Sequence, residues 1–525
     1  MTTPATPVQS SQRDHRRRCE RIIGQALLEG ADEAAVDRYL RDVCLVQAPD
    51  KLRLKVQGRN KSPRLGELDW KAFGGRDPFR ALFGLQPLQS DAVQPEPFEM
   101  PPACELAEAE AIVRQWFGDK YDMDALHLVL AAAAVNQLTG DPLWPLLVSG
   151  PGFTKTETVS TLGGAGATIT STISSEGALL SGSGKKDAAP NATGGLLKKL
   201  GQSGVLVLKD MTTILSMHHD SRATLLAALR EIHDGKWERN LGTDGGKTLT
   251  WTGRLILVGA VTSAWDSHHS VIASMGDRFV TLRIDSADTD ARLFAGQRSL
   301  ANLGHEVQMR EALAKAVGGV LHTLKKFDDL SSDEHDELLS LANFVTLCRT
   351  AVEYDWHGRV EMAHMPEAPT RFVKQLAQVM RGALSIGLDR DEASALALRV
   401  AGDSMPPMRL EILQLLAKNP AGLTTKETAH TLDQPFEPVD KQLQSLHSLR
   451  ALSRIERPTG KTTKDGTPKH VWVYTLAIDM PCKLKTAAVH KNPVVPKNSA
   501  VPMAPTDQDL PLDEVDEVDD EEPPF

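Results

Sequence analysis

The sequence predicts an α/β fold built around a parallel β-sheet. Five short apolar runs alternate with helical patterns and with loops rich in Gly, Ser and Thr, which is typical of parallel strands joined by crossover helices. The chain has 525 residues, of which 41% are hydrophobic and 24% charged. This composition indicates two to four globular domains and excludes wholly disordered, collagen-like and membrane-embedded classes. The predicted strands cover residues 146–149, 168–173, 205–209, 255–259 and 279–284.

Changes in pattern along the chain predict five regions. Residues 1–100 are mostly helical and end in a Pro-rich linker, and residues 101–286 contain the sheet. The pattern from 287 to 402 is helical throughout, which predicts a separate helical layer. Residues 403–480 contain three helices followed by a β-hairpin, a pattern typical of a winged helix-turn-helix. Residues 481–525 are poor in apolar residues, which predicts a disordered tail that is first basic and then acidic.

The formal charge of −10 combines two opposite segments. Residues 507–525 carry ten Asp or Glu and no Lys or Arg, whereas residues 441–497 carry 11 Lys or Arg against three Asp or Glu. A basic winged segment can neutralise phosphates, so we expect DNA binding without strong sequence preference; protein docking is the competing use of such a module. We expect a recognition helix that carries Lys441 and Arg450 to contact DNA together with a Lys-rich wing. The candidate DNA-binding residues are therefore Lys441, Arg450, Lys461, Lys464 and Lys469.

The five cysteines are scattered along the chain, form no CxxC pair and are odd in number. This pattern fits neither a disulfide framework nor a zinc site, so a reducing cytoplasm is the expected compartment. No apolar stretch is long enough to span a bilayer, and we expect no membrane partner.

A phosphate-binding loop is predicted at residues 149–156, with the sequence SGPGFTKT. Such a loop requires a buried strand before it and a helix after it, because N–H groups at the helix N-terminus hold the phosphates and the lysine reaches the outer ones. The Gly- and Lys-rich segments 181–186 and 241–248 lack that context. The loop departs from GxxxxGK[ST], since Ser149 and Thr154 occupy glycine positions. The predicted nucleotide-binding residues are Gly150, Pro151, Gly152, Phe153, Thr154, Lys155 and Thr156.

An acidic residue follows the apolar strand at 205–208 and predicts a magnesium site. Asp210 and the hydroxyl of Thr156 would bind Mg²⁺, as in other P-loop proteins. The register is open: if Asp210 binds the metal, Met211 replaces the usual catalytic glutamate, and if Asp210 replaces that glutamate, Lys209 replaces the metal ligand. The standard hydrolytic pair is incomplete in either register, so slow or conditional ATP hydrolysis is one expectation.

Together these motifs, which span residues 105–480, resemble the AAA+ ATPases, specifically the helicase-like branch that includes minichromosome maintenance and viral helicases. The resemblance implies an AAA+ P-loop sheet with a helical lid, ATP and Mg²⁺ as cofactors, and a ring-shaped oligomer. Stretches such as 193–197 (TGGLL) and 264–271 (AWDSHHSV) are also similar to ATP-binding proteins of phages and integrated mobile elements.

The resemblance assigns the predicted hairpin at 237–251 to nucleic acid. In the family this hairpin points into the central channel of the ring, so Arg239 and Lys247 would contact the nucleic-acid backbone. An ordinary surface hairpin with exposed basic residues is the alternative.

The resemblance also assigns three catalytic roles beside that of Asp210. Thr262 corresponds to sensor 1, next to the γ-phosphate. Arg278, in the segment SMGDRFV, corresponds to the arginine finger that reaches a neighbouring subunit's ATP, with a structural salt bridge as the alternative. Arg371 is the candidate for sensor 2, and Lys374 is its rival.

The chain ends in an acidic run followed by Pro523, Pro524 and Phe525. This ending resembles the tail of bacterial single-strand DNA-binding proteins, which docks on replication and repair enzymes. An apolar anchor with a carboxylate on an acidic leash suits such docking. A plain solubilising tail is the alternative.

These observations predict a ring-forming, ATP-dependent DNA motor, either a helicase or a helicase loader, in phage or mobile-element replication. Its partners would be single-stranded or forked DNA, further copies of the chain, and a replication or repair enzyme captured by the tail. The alternative is a nucleotide-gated DNA-binding switch or regulator with little or no ATP hydrolysis.

Overall fold

The computed structural model describes residues 12–28, 31–45, 49–59, 76–85, 98–181, 194–242, 246–267, 278–286, 288–357, 359–462 and 468–489. The described residues form two compact units, one before Pro97 and one from Phe98 onward. None of the helices within these ranges combines the length and the apolar character needed to cross a membrane.

The first unit is helical. Its helices are α1 (Gln12–Leu28), α2 (Glu33–Asp42), α3 (Pro49–Arg59) and α4 (Arg76–Leu82). On α2, Val36 and Leu40 lie one turn apart on the same face and are both fully buried. They belong to a small apolar core with Ile23 of α1 and Phe79 of α4.

The second unit is built on a five-stranded parallel sheet. Its strands are β1 (Trp144–Val148), β2 (Thr168–Thr170), β3 (Ser203–Leu208), β6 (Arg254–Val261) and β7 (Phe279–Arg283), in the order β2-β3-β6-β1-β7. All five predicted strands are therefore confirmed, with ends shifted by a few residues. Two further strands, β4 (Lys236–Leu241) and β5 (Lys247–Thr252), form the separate antiparallel hairpin expected from the turn chemistry between them.

Helices cover both faces of this sheet. They are α5 (Leu106–Phe117), α6 (Met123–Val135), α7 (Lys155–Ser160), α8 (Glu176–Leu179), α9 (Leu196–Leu200), α10 (Thr212–Leu215), α11 (His219–His233) and α12 (Ala264–Ser267). Leu147 and Val258 point into one apolar core with α6, whereas Leu146 and Leu257 point into a second core with α11. The strands are nearly all apolar because both of their faces are buried.

The strand order places a topological switch point between β1 and β6. The chain leaves β1 toward β2 on one side of the sheet, and it leaves β6 toward β7 on the other. In open α/β sheets, ligands bind in the crevice outside the carboxyl ends of the strands at such a point. Val148, Val261 and Arg283 are aligned in register and mark this carboxyl edge.

The region from 289 to 403 is mostly helical, but it is not helical throughout as predicted. Its helices are α13 (Thr289–Ala301), α14 (Glu306–His322), α15 (Ser332–Cys348), α16 (Thr370–Ile386) and α17 (Arg390–Asp403). An antiparallel hairpin of β8 (Val352–Tyr354) and β9 (Val360–Ala363) interrupts them. The prediction failed because strands of three and four residues are too short to show a clear alternation. At its last residue α17 is joined to the sheet, since the carboxylate of Asp403 accepts from the N–H of Arg283 at 2.8 Å.

Three helices and a three-stranded antiparallel sheet complete the unit. The helices are α18 (Pro407–Lys418), α19 (Thr425–Leu432) and α20 (Phe436–Ser448), and the strands β10 (Leu423–Thr424), β11 (Leu452–Thr462) and β12 (Pro468–Leu476) pair in the order β10-β12-β11. A capping box of Thr424 and Glu427 starts α19. The predicted tail, including Pro523, Pro524 and Phe525, lies outside the described residues.

Candidate nucleotide-binding site

The loop between β1 and α7 is open on the side of Gly152. Gly152 has φ +84°, and nothing lies within 4 Å of where a Cβ atom would stand, so this turn of the loop faces open space. Thr154, which precedes α7, makes no side-chain cap hydrogen bond. The first N–H groups of α7 therefore receive no hydrogen bond from the side chain of Thr154.

Lys155 is folded back onto this loop. Its Nζ donates to the carbonyl oxygen of Gly150 at 2.8 Å and to that of Ser149 at 3.4 Å, and the residue is 7% exposed. Burial lowers the pKa of Lys155, and the negative charge of Asp210 opposes that effect. The predicted lysine and the predicted carboxylate thus act on each other electrostatically in the folded chain.

Asp210 stands two residues after the end of β3 and is exposed at the carboxyl edge. Its carboxylate accepts from the N–H of Thr212 at 2.9 Å and from Oγ1 of Thr213 at 3.2 Å, so it also holds the start of α10. Met211 is fully buried, and its N–H donates to the carbonyl oxygen of Ala260 at 2.8 Å. The chain therefore presents one carboxylate here, and the residue after it belongs to the core.

Thr262 follows β6, the neighbour of β3, and lies beside Thr212, whose N–H donates to the Asp210 carboxylate. Its Oγ1 is 3.3 Å from Oγ1 of Thr212, and its N–H donates to that same hydroxyl at 3.3 Å. Sequence reasoning missed Thr212, whose hydroxyl joins the two strand ends. The polar residue two positions after Asp210 was a signal, because it follows the same buried strand.

A cavity of about 440 Å³ opens next to the loop, and it was not predicted. Five aromatic side chains line it together with Gly152, Thr154 and several charged residues. This volume is sufficient for a nucleotide-sized ligand, and aromatic walls with a few polar groups are typical of small-molecule sites. The aromatic residues are Trp116, Phe117, Tyr121, Phe153 and Phe294.

The walls of this cavity are held by contacts between α5 and α13. Gly118 has φ +86°, and a Cβ atom there would come within 2.4 Å of the Phe294 ring. Asn302 Nδ2 donates to the carbonyl oxygen of Trp116 at 2.9 Å. On the other wall, Arg310 donates to both carboxylate oxygens of Glu157, at 2.6 and 2.9 Å, and Glu157 lies in the helix that follows the loop.

A network of charged residues supports the acidic rim of the cavity. Arg399 of α17 donates to the carboxylates of Asp122 and Asp124, both at 2.7 Å, and to the carbonyl oxygen of Arg283 at 3.0 Å. Burial raises the pKa of Asp124, but the hydrogen bond with His127 and the charge of Arg399 outweigh burial and lower it to about 2. The network fixes Asp122, which lines the cavity.

Arg278 and Arg371 lie away from this site, at the opposite edge of the sheet. Arg278 directly precedes β7, whose first residue pairs with Trp144, the first residue of β1. Its Nη2 donates to the carboxylate of Asp234 at 3.0 Å. This is an ion pair within the chain, of the kind that the alternative interpretation of Arg278 expected. Arg371 forms a hydrogen bond with Glu367.

A second cavity, of about 510 Å³, lies at this amino edge. Its lining includes Asp234, Arg371 and the rival candidate Lys374, whose Nζ is 3.1 Å from the carboxylate of Asp141. His233, also in the lining, is 5% exposed and stands edge-on to the Trp144 ring. Burial lowers the pKa of His233 to about 4, despite the opposing hydrogen bond with Asp234.

The predicted nucleic-acid residues occupy several environments. Arg239 of β4 donates to the carbonyl oxygen of Leu180 at 2.8 Å, so its guanidinium is held against the chain. Lys247 is the first residue of β5. Lys441 lies on α20 with its ammonium 3.7 Å from the centre of the Tyr354 ring.

The remaining candidates belong to the end of the second unit. Arg450 is exposed and follows α20 with φ +60°. The prediction that it belongs to the helix is therefore wrong. The tight left-handed turn that leads from α20 into β11 ends the helix first. Lys461 lies on β11 and Lys469 on β12, whereas Lys464 falls outside the described residues.

Within the described ranges, no group of three or more His, Cys, Asp or Glu side chains is arranged to hold a metal ion. Comparison with protein families finds no matching family model, and comparison with curated proteins finds no match. Among solved structures, the A-form apo structure of the NrS-1 C-terminal region has a TM-score of 0.25 and 11% sequence identity, covering 73% of this chain and 79% of that one. A likeness this low carries no argument about the fold or the function.

Proposed function

We propose that this chain is an AAA+ P-loop ATPase of the helicase-like type and that it works as an ATP-dependent motor on DNA. The observation that carries the proposal is the convergence of Lys155, Asp210 and Thr262 on the carboxyl edge of the sheet, beside the aromatic cavity. Each residue follows a different strand. Their order along the chain matches the order of the phosphate-binding lysine, the magnesium ligand and sensor 1 that the AAA+ resemblance implies. The phosphates would lie on the loop and the base in the cavity.

The arrangement of the second unit supports this proposal. The loop follows a strand at the topological switch point, where α/β proteins bind ligands. The helical region that follows would be the lid, since α13 and α14 line the cavity. The three helices and antiparallel sheet that end the unit would be the winged helix.

The residues present fit a magnesium–nucleotide complex. Thr156 and Asp210 are both exposed, and they offer the hydroxyl and carboxylate oxygens that Mg²⁺ prefers. The metal would neutralise charge on the phosphates while Lys155 binds them.

Arg278 and Arg371 would act on a nucleotide bound by a neighbouring copy. Both lie at the amino edge, so neither belongs to the half-site of its own chain. A head-to-tail contact would bring this edge against the carboxyl edge of the next copy, and a closing rotation would form a ring. DNA would pass the β4–β5 hairpin and the basic C-terminal region, and Pro523, Pro524 and Phe525 would dock a replication or repair enzyme.

A nucleotide-gated DNA-binding switch is the second candidate, and one observation favours it. Both oxygens of the Asp210 carboxylate already accept hydrogen bonds from the start of α10, and Met211 is in the core. Met211 therefore cannot serve as the catalytic carboxylate that would normally follow a magnesium ligand at Asp210. ATP would then change the shape of the protein without rapid turnover.

ATP binding and turnover, measured with and without single-stranded DNA, test the proposal. Lys155→Ala should weaken nucleotide binding and reduce turnover by about 10²-fold, because it removes the charge that binds the outer phosphates. Lys199→Ala, at an exposed lysine of α9, is the matched control and should leave both unchanged. Equal behaviour of the two variants would contradict the proposal. DNA-stimulated turnover with strand unwinding would select the motor over the switch.

A further inference from the structure

The helix expected to contact DNA is packed against another part of the chain. The Lys441 ammonium covers the ring of Tyr354 on β8, and the Tyr354 hydroxyl is 2.8 Å from Oγ of Ser445, one turn further along α20. Gln442 accepts from Nε of Arg409 at 2.9 Å. The β8–β9 hairpin and α18 therefore occupy one side of α20.

The charge of α20 also disfavours contact with a polyanion. Its 13 residues contain Glu437, Asp440 and Lys441, a formal charge of −1. Glu437 is exposed, whereas the single lysine is engaged with Tyr354. Phosphates would meet more negative than positive charge on this helix, and that interaction is unfavourable.

The β11–β12 hairpin has the opposite character. Residues 452–476 contain five Lys or Arg and two Asp or Glu, a formal charge of +3. The guanidinium carbon of Arg454 lies 4.3 Å from the centre of the Trp472 ring, and 42% of Trp472 is exposed. An exposed tryptophan beside arginine is the combination that single-stranded nucleic-acid sites use, because bases stack on the ring and phosphates pair with the cation.

The strand register assigns these side chains to one face of the hairpin. Arg454 pairs with Tyr474, Glu456 with Trp472 and Pro458 with His470, and directly opposed residues of an antiparallel pair share a face. At the inner end of this face Tyr474 is buried, while at the outer end Trp472 and His470 are exposed. Arg457 lies between Glu456 and Pro458 and therefore belongs to the other face.

We infer that single-stranded DNA binds across the face of the β11–β12 hairpin that carries Arg454, Trp472 and His470, and that α20 is not the DNA-contacting element. One base stacks on Trp472, and the backbone phosphates lie near Arg454. Single-stranded DNA is the occupant because a flat ring can stack only on an unpaired base. The inference rests on the proposed action on DNA and specifies where that action takes place.

The test measures the affinity of the full chain for a fluorescent oligothymidine by anisotropy at one fixed salt concentration. Trp472→Ala and Arg454→Ala should each weaken binding by about tenfold, since base stacking on aromatic rings has effects of this size. Arg457→Ala is the matched control: it removes the same charge from the same strand but from the opposite face, and it should change affinity less than about threefold.

Glu456→Gln provides a test that misfolding cannot imitate. Glu456 is on the binding face, directly across from Trp472, so removing its negative charge should tighten binding by about twofold. Thermal unfolding of each variant would confirm that the hairpin remains folded.

Two results would overturn the inference. Loss of binding in Lys441→Ala and Gln444→Ala, with hairpin variants unaffected, would assign the contact to α20. Loss in Arg457→Ala equal to that in Arg454→Ala would show that no single face is used. If the unaltered chain bound ATP but no oligothymidine, the proposed action on DNA would fail with the inference, while the nucleotide site would stand on the Lys155 experiment.

Discussion

The charged residues at the carboxyl and amino edges of the central sheet have different partners. At the carboxyl edge Lys155 donates to carbonyl groups of its own loop, and an exposed carboxylate stands nearby. At the amino edge Arg278 is paired with Asp234, and Arg371 with Glu367. Under the proposed function, one edge has the groups that would bind phosphate, and the other has arginines too distant to reach the phosphates bound by their own chain.

Under the proposed function, this difference would give one chain two complementary half-sites. The loops at the amino ends of parallel strands are separate from the loops at their carboxyl ends. The two sets lie a full strand length apart, which for five residues at about 3.3 Å each is longer than an arginine side chain. A shared site would therefore need a second copy, whose amino edge meets the carboxyl edge of the first. The following predictions test that division, beginning with the largest effect.

Arg278→Ala should lower ATP turnover by about 10³-fold or more, because an arginine supplied by a neighbour stabilises charge that develops in the transition state. Nucleotide binding should change little, since the residue is absent from the carboxyl edge. Asp234→Asn is the control: it breaks the same ion pair but keeps the arginine, and turnover should be retained. Equal losses in both variants would show that the ion pair itself matters.

Mixing variants tests the same division directly. A mixture of Lys155→Ala and Arg278→Ala chains should recover part of the turnover that each lacks alone, because some interfaces would combine two unaltered half-sites. No recovery, with both variants assembling normally, would contradict action between copies.

Gly118→Ala should affect the carboxyl edge alone. The new methyl group would displace the Phe294 ring from the cavity wall and place a non-glycine residue at φ +86°. We expect nucleotide affinity to fall and stability to decrease by roughly 1 to 3 kcal/mol. Gly304→Ala is matched in backbone conformation, with φ +83° and open space around the new atom. It should cost about 1 kcal/mol and leave nucleotide affinity unchanged. Calorimetry with an ATP analogue would measure both effects.

His233 should make the amino edge sensitive to acid. Its pKa is about 4 in the folded chain, below the value of about 6.5 expected when unfolded. The unfolded chain therefore takes up a proton first, and the stability present above pH 6.5 declines as the pH falls toward 4. For this residue the decline is at most about 3 kcal/mol. His233→Gln should lose less stability over that interval in denaturant titrations, and parallel curves would contradict the prediction.

The sheet could be predicted because each of its strands is recognisable from a few consecutive residues. Each strand is a short apolar run next to Gly, Ser or Thr, and burial on both faces removes the alternation that would otherwise be needed. Lys155, Asp210 and Thr262 follow strand ends, so a parallel topology suffices to bring them together.

The cavity could not be predicted because the residues that line it come from distant parts of the sequence. Phe117 and Phe294 are far apart in sequence, and either one alone has the pattern of an ordinary core residue. The same reason explains Lys441: its partner Tyr354 lies on a strand within a region that the sequence presents as helical. A basic residue on a helix predicts an exposed charge unless the aromatic ring that covers it is known.

The pairing of Arg399 with Asp122 joins residues 277 positions apart. During synthesis at about 5 to 20 residues per second, the segment beside the cavity would leave the ribosome roughly 15 to 55 s before the arginine that neutralises it. Until then the carboxylates of Asp122 and Asp124 and the carbonyl group of Arg283 at the end of β7 would lack this partner. The cavity beside the β1–α7 loop therefore cannot be completed on the ribosome before α17 has been made, and under the proposed function a nascent chain could not bind ATP before that point.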